Sequence, residues 1–160
     1  MGSLFSRQSA PLLGVDISSS SVKLVELGRD KGGALVLECC AIEQLERGWI
    51  TDGNIEKFDE VAEALRRVVK KSGTKTKNVA LALPSSAVIT KRITLPAGLS
   101  EEEYEFQVEN EASQYIPFAI EEVNLDFQIL GPTAGSDEDV DVLLAASRKE
   151  KVDDRVAVAE

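Results

Sequence analysis

The chain has 160 residues, 43% of them hydrophobic and 29% charged, with a formal net charge of −10 and no histidine. A chain of this length buries about 70% of its unfolded surface, so it can hold a core without staples. The acidic balance argues against nucleic acid as a partner, and the missing histidine excludes Ser-His-Asp and Cys-His catalysis and every His-ligated metal site.

Residues 1–10 read as an undocked, flexible N-terminal segment. Their opening MGSLFS also fits the short N-myristoylation pattern. Leu12 to Ile17 reads as a buried strand. Val22 to Leu27 alternates, with Val22, Leu24 and Glu26 on one face and Lys23, Val25 and Leu27 on the other. Between these strands stand Asp16 and four serines, Ser18 to Ser21. A solvated hairpin needs only two turn residues. A phosphate-binding hairpin needs small residues, hydroxyls and free backbone N–H groups. The residues alone leave both readings open.

GRDKGG, residues 28–33, is a turn signal, and Ala34 to Ile42 is a third strand, which completes an antiparallel meander. Cys39 and Cys40 are neighbours on that strand and point to opposite faces, so no ordinary disulfide joins them. That implies a reducing compartment.

A helix is predicted from Asn54 to Ser72, with Asp52 or Asn54 as its cap. Ile55, Phe58, Val61, Ala62, Leu65, Val68 and Val69 line one face. Arg66, Arg67, Lys70 and Lys71 fall in its last turns, where cations suit the dipole, and Gly73 ends it. NVALALP, residues 78–84, reads as an interior strand reached by a helical crossover and therefore parallel.

From Val88 the pattern changes. Val88 to Leu95 is a strand with Ile89, Ile93 and Leu95 on one face and Lys91 interrupting them. Ser100 and Glu103 form a capping box for a helix that runs to about Ile116. Tyr104, Val108, Ala112 and Tyr115 form its stripe, and Pro117 ends it. Val123, Leu125, Phe127 and Ile129 alternate along a half-buried strand. After the polar loop 131–139, Val140 to Ala146 returns. A last helix begins near Arg148, with Val152, Val156 and Ala159 on one stripe and Val158 beside it. No run reaches the roughly 20 apolar residues of a membrane span.

This β-β-β-α-β order, an inserted β-α-β-β and a following helix resemble the first lobe of the actin and sugar-kinase superfamily, an α/β, ribonuclease H-like architecture. VDISSSSVK, residues 15–23, is similar to the superfamily's phosphate hairpin at Asp16, Ser19 and, loosely, Lys23, and departs from it at Ser18, where glycine is usual. Within the superfamily the chain most resembles the PilM family of type IV pilus assembly proteins, related to the cell-division protein FtsA. The stretches that carry the likeness are SSAVITKRITLPAGLSEEE (85–103), ENEASQYIPFAIEEVNLDFQIL (109–130) and VDVLLAASRKEKV (140–152). The serine at position 18 is usual in this family.

The resemblance implies an incomplete actin-like lobe, residues 11–84 with 148–160, and an inserted FtsA/PilM-type β-α-β-β subdomain, residues 85–147. It implies an N-terminal portion of a longer protein, whose second phosphate loop and second lobe lie beyond residue 160. Asp16, Ser18, Ser19, Ser20, Ser21 and Lys23 are the weak nucleotide-phosphate and Mg²⁺ candidates. ATP and Mg²⁺ belong to full-length relatives, and no cofactor is expected in this chain. The implied role is a cytoplasmic, non-enzymatic adaptor at the inner membrane. It would capture the N-terminal cytoplasmic segment of a PilN-type protein between the subdomains, with other pilus-assembly proteins and self-association as further contacts. The competing readings are an ATP-using enzyme of the actin-like or sugar-kinase class and an FtsA-like cell-division adaptor. At the QYIPF corner, Tyr115 and Phe118 are expected in the subdomain core, while Phe106, off the helix stripe, is either exposed or on a second packing face.

Overall fold

A computed structural model describes residues 11–160; the reading of residues 1–10 lies outside them. Three strands, β1 (Leu13–Ile17), β2 (Ser21–Arg29) and β3 (Leu35–Gln44), form the antiparallel meander. A short hairpin, β4 (Ile50–Thr51) and β5 (Asn54–Ile55), leads to α1 (Phe58–Ser72), and β6 (Val79–Leu81) follows. β6 lies parallel to β1, and the sheet order is β3-β2-β1-β6. The crossover helix brings β6 in parallel, as its position after α1 requires.

The chain divides into two compact units. One runs through Ala82 and resumes at Ala157–Glu160; the other is Leu83–Val156. In the first, alternation along β1 and β2 turns Leu13, Val15, Ile17, Val22 and Leu24 onto one face, where Val61, Ala64, Leu65 and Val68 of α1 cover them. Gly73 closes α1 in the left-handed region at φ 72°, a conformation that costs glycine little.

The second unit is a three-stranded sheet ordered β7-β9-β8, from β7 (Ile89–Pro96), β8 (Val123–Pro132) and β9 (Asp139–Arg148). α2 (Glu101–Ala112) packs Tyr104, Val108 and Ala112 against Ile93, Leu95, Val142 and Leu144. The capping box is formed: Ser100 Oγ accepts from the Glu103 N–H, and the Glu103 carboxylate accepts from the Ser100 N–H at 2.8 Å. α3 (Lys149–Ala159) ends the chain.

Several expectations change. The first helix starts at Phe58, because Asp52-Gly53 makes the tip of a hairpin with φ of 51° and 81°. Two consecutive positive φ values define the turn that Asp-Gly favours between strands; Asp52 and Asn54 are therefore not caps, and Lys57 takes that position without a side-chain bond. β6 is parallel but an edge strand of this sheet, and half-exposed. α2 stops at Ala112, and Ile116, rather than Tyr115, continues its packed stripe. Tyr115 and Phe118 are exposed, not core, and Phe106 is exposed. On α3, Val158 packs in the first unit's core while Val156 is exposed.

Candidate functional site

The serine hairpin resolves into a four-residue loop closed by the Ile17–Val22 pair. Its inner members satisfy the loop itself. The Ser18 N–H and Ser18 Oγ both donate to the Ser21 carbonyl at 3.0 Å, and the Ser18 and Ser21 hydroxyls lie 3.3 Å apart. The Ser20 carbonyl accepts from the Leu45 N–H at 2.8 Å, which anchors the loop to the segment after β3. Asp52 is the non-glycine with positive φ among the described residues, so the serine loop turns with ordinary φ. A loop of four needs no mirror-image turn.

Of the six candidate residues, the structure brings together two pairs. Asp16 stands opposite Lys23 in the strand register, and the Lys23 ammonium bonds the Asp16 carboxylate at 2.8 Å. Ser18 pairs with Ser21, which is buried. Ser19 and Ser20 sit exposed at the tip. A phosphate at this loop would meet the tip hydroxyls of Ser19 and Ser20, while Lys23 is already neutralised by Asp16. Ser18 and Ser21 hold the loop's shape. The loop therefore fits a phosphate only through its tip.

A second polar cluster was not read from the sequence. Glu26, at the end of the buried face of β2, accepts from Thr74 Oγ1 and Thr76 Oγ1, each at 2.6 Å, and from Cys39 Sγ at 3.6 Å. These bonds, those of Thr74 first, hold the Glu26 carboxyl below the usual glutamate value against an opposing desolvation. Burial and the Glu26 carboxylate push the Cys39 thiol up. The cluster ties the α1–β6 crossover to the sheet. A signal was present: a carboxylate continuing the Val22–Leu24 face demands donors, and Thr74 and Thr76 offer two hydroxyls with one residue between them.

On the second unit the QYIPF corner carries two stacked cations. The Lys91 ammonium lies 4.7 Å from the Tyr115 ring centre, and the Arg148 guanidinium 5.2 Å from that of Phe118. Lys149 Nζ donates to the Glu121 carbonyl at 2.7 Å and fixes the turn after the corner. Lys91, interrupting the apolar face of β7, was the legible sign that an aromatic partner was needed. On β9, the buried carboxylate of Asp141 accepts from Arg92 Nη2 and from Thr133 Oγ1 at 3.0 Å, and these hold it below its ordinary value, the Arg92 bond most of all.

Among the described residues no group of three His, Cys, Asp or Glu side chains converges as a metal site would, and no helix is long and apolar enough to cross a membrane.

A meander, a parallel strand reached through a helix and an inserted β-α-β-β unit define a lobe of the actin-like α/β class. Residues 14–160 match the type IV pilus assembly protein PilM family, and the chain belongs to it. It is similar to a solved chain described as "PilM-PilN type IV pilus biogenesis complex", at 31% sequence identity and a TM-score of 0.81 over 92% of this chain. The match spans 43% of that longer chain. A structure of a diol dehydratase-reactivating factor in nucleotide-free form overlaps at 22% identity and a TM-score of 0.32, over 55% of this chain and 14% of its own, too little for a shared fold to be read from it.

Proposed function

We propose that this chain is an adaptor of type IV pilus biogenesis that binds the N-terminal cytoplasmic segment of a PilN-type inner-membrane protein. That partner would hold it at the inner face of the cytoplasmic membrane. The observation that carries this reading is the match of 92% of the chain, at a TM-score of 0.81, to a chain from a PilM-PilN complex. The family match over residues 14–160 supports the same assembly role. A pull-down with a PilN-type N-terminal peptide, set beside an FtsZ-tail peptide, tests it. Retention of the first and not the second is expected. Retention of the FtsZ tail alone would place the chain with cell-division adaptors.

The reading includes a non-enzymatic role and no cofactor of its own. Support comes from the serine hairpin, where the Lys23 ammonium is engaged by Asp16 and two of the four hydroxyls are spent on the loop. Calorimetric titration of the chain with ATP and Mg²⁺ is expected to give no saturable heat. A micromolar dissociation constant would contradict this and restore the ATP-using reading.

A further inference from the structure

α1 and α2 carry charge in opposite ways. α1 places Asp59 and Glu60 in its first turn and Lys70 and Lys71 in its last, and pairs Glu63 with Arg66 at 2.6 Å. That order suits both the dipole and the helix surface. In α2, six of the twelve residues are glutamates and none is a cation. The first-turn acids suit the dipole, and Glu103 serves the capping box. The later ones suit nothing within the helix. Glu101 and Glu105, then Glu105 and Glu109, stand at four-residue steps, where like charges repel. Glu109 and Glu111 lie at the negative end of the dipole. Among the described residues no ion pair involves Glu102, Glu105 or Glu109.

Phe106 stands on the same outer face, 63% exposed. It lies away from the packed Tyr104–Val108–Ala112 stripe, with Glu102 one turn before it and Glu109 one turn after. A lone exposed apolar residue needs no function. This ring, however, sits in a row of unpaired carboxylates, on a helix whose inner face is already packed. Packing within a fold does not account for that row. Helix faces that a fold covers are apolar, and carboxylates taken from water need cations. The dipole, the four-residue spacing of charge and the placing of an aromatic ring are all disregarded on one face, and such local departures gather at functional surfaces.

We propose that the outer face of α2 binds the Lys- and Arg-bearing part of the partner's cytoplasmic segment; this rests on the adaptor reading above. The chemistry of that segment follows from its place. Cytoplasmic stretches within about 15–20 residues of a membrane span carry an excess of Lys and Arg. Such cations meet Glu102, Glu105 and Glu109 and relieve the repulsion among them, while an apolar residue between the cations covers the Phe106 ring. The charges speed the encounter and turn away acidic segments; the ring, an interface-prone aromatic, fixes where the segment lies.

Fluorescence anisotropy with the whole chain tests this. The labelled peptide runs from the N-terminus of a PilN-type protein to the first residue of its membrane span. Saturable binding that weakens with added salt is expected. Replacing Glu102, Glu105 and Glu109 together by Gln weakens it about tenfold or more, and Phe106→Ala about fivefold. Replacing the exposed Glu38, Glu46 and Glu56 of the first unit together by Gln, the same change in net charge, leaves it unchanged. Phe106→Ala alters no charge and tests the same face should the triple variant fail to fold. Binding indifferent to both α2 variants, or weakened equally by the first-unit control, overturns this inference and leaves the adaptor reading standing. No saturable binding by the unsubstituted chain overturns both.

Discussion

The two units place their apolar residues differently. The three-stranded sheet turns Ile93, Leu95, Val142 and Leu144 to α2 and shows Thr90, Arg92, Asp126 and Gln128 on its other face. That is the half-buried antiparallel pattern, with Leu143 as an exposed aliphatic on the outer face. The four-stranded sheet also buries one face under a helix, yet its second face carries Leu12, Val25, Leu27, Leu37 and Ile42 half in water. Among the described residues, the first unit's exposed aliphatics gather on one sheet face, while the exposed apolar residues of the second unit, Phe106, Ile129, Leu130 and Leu143 among them, are spread over α2, β8 and β9. Alternation decides which face a strand buries, but only the number of available covering elements decides whether the second face can be apolar at no cost.

The sharpest way to break this comparison is to empty one core at a time. Leu144 and Leu24 are both almost wholly buried, one in each unit. Replacing either with alanine should cost about 2–5 kcal/mol. Segment-resolved hydrogen exchange should then show Leu144→Ala releasing β7–β9 and Leu24→Ala releasing β1–β3. The first unit is expected to exchange faster in the unsubstituted chain, and uniformly slow exchange across Leu12 to Leu27 would contradict the contrast.

Acid sharpens it further. Glu26 in the first unit and Asp141 in the second are both held below their ordinary values, chiefly by the Thr74 and the Arg92 bond respectively. A carboxylate depressed in the folded state stabilises fully above its unfolded value, and that contribution is lost as pH falls through the folded value. Both tethers should therefore weaken as pH falls through and below the usual carboxylate range. Glu26→Gln should remove the acid dependence of exchange in residues 73–81 and leave that of β8–β9 intact. Equal responses in the two segments would show that the Glu26 bonds do not hold the crossover.

The smallest effect is a local one. Ser100→Ala removes the capping-box hydroxyl of α2 and should cost about 1 kcal/mol, read as a lowered midpoint of the second unit's thermal transition with the first unit's unchanged.

Much of the fold was legible. The faces of β1 and β2, the crossover to a parallel strand, the capping box and the separate β-α-β-β unit all follow from spacing of apolar residues and from Ser100 with Glu103. What escaped depended on local turn chemistry or on contacts distant in sequence. Asp52-Gly53 was overridden by the helical spacing that follows, although Asp-Gly between short β-branched runs is a hairpin signal. Tyr115 follows Ala112 at a three-residue step, but the helix ends at Ala112, and Ile116, at the four-residue step of Tyr104, Val108 and Ala112, is the one that packs. The Asp16–Lys23 pair needed the strand register, and the Glu26–Thr74 bond joins residues 48 apart. In the serine hairpin, the two inner hydroxyls shape the loop and the two outer ones meet water, a division that composition alone does not reveal.

The central claim is recognition of a PilN-type segment, and a fluorescence anisotropy titration tests it most directly. A labelled peptide with the N-terminal cytoplasmic sequence of a PilN-type protein is titrated with the whole chain, beside a scrambled peptide of the same composition. The account predicts a saturable rise for the authentic peptide and none for the scrambled one. A chain whose circular dichroism shows it folded, yet which gives no saturable rise, would contradict it.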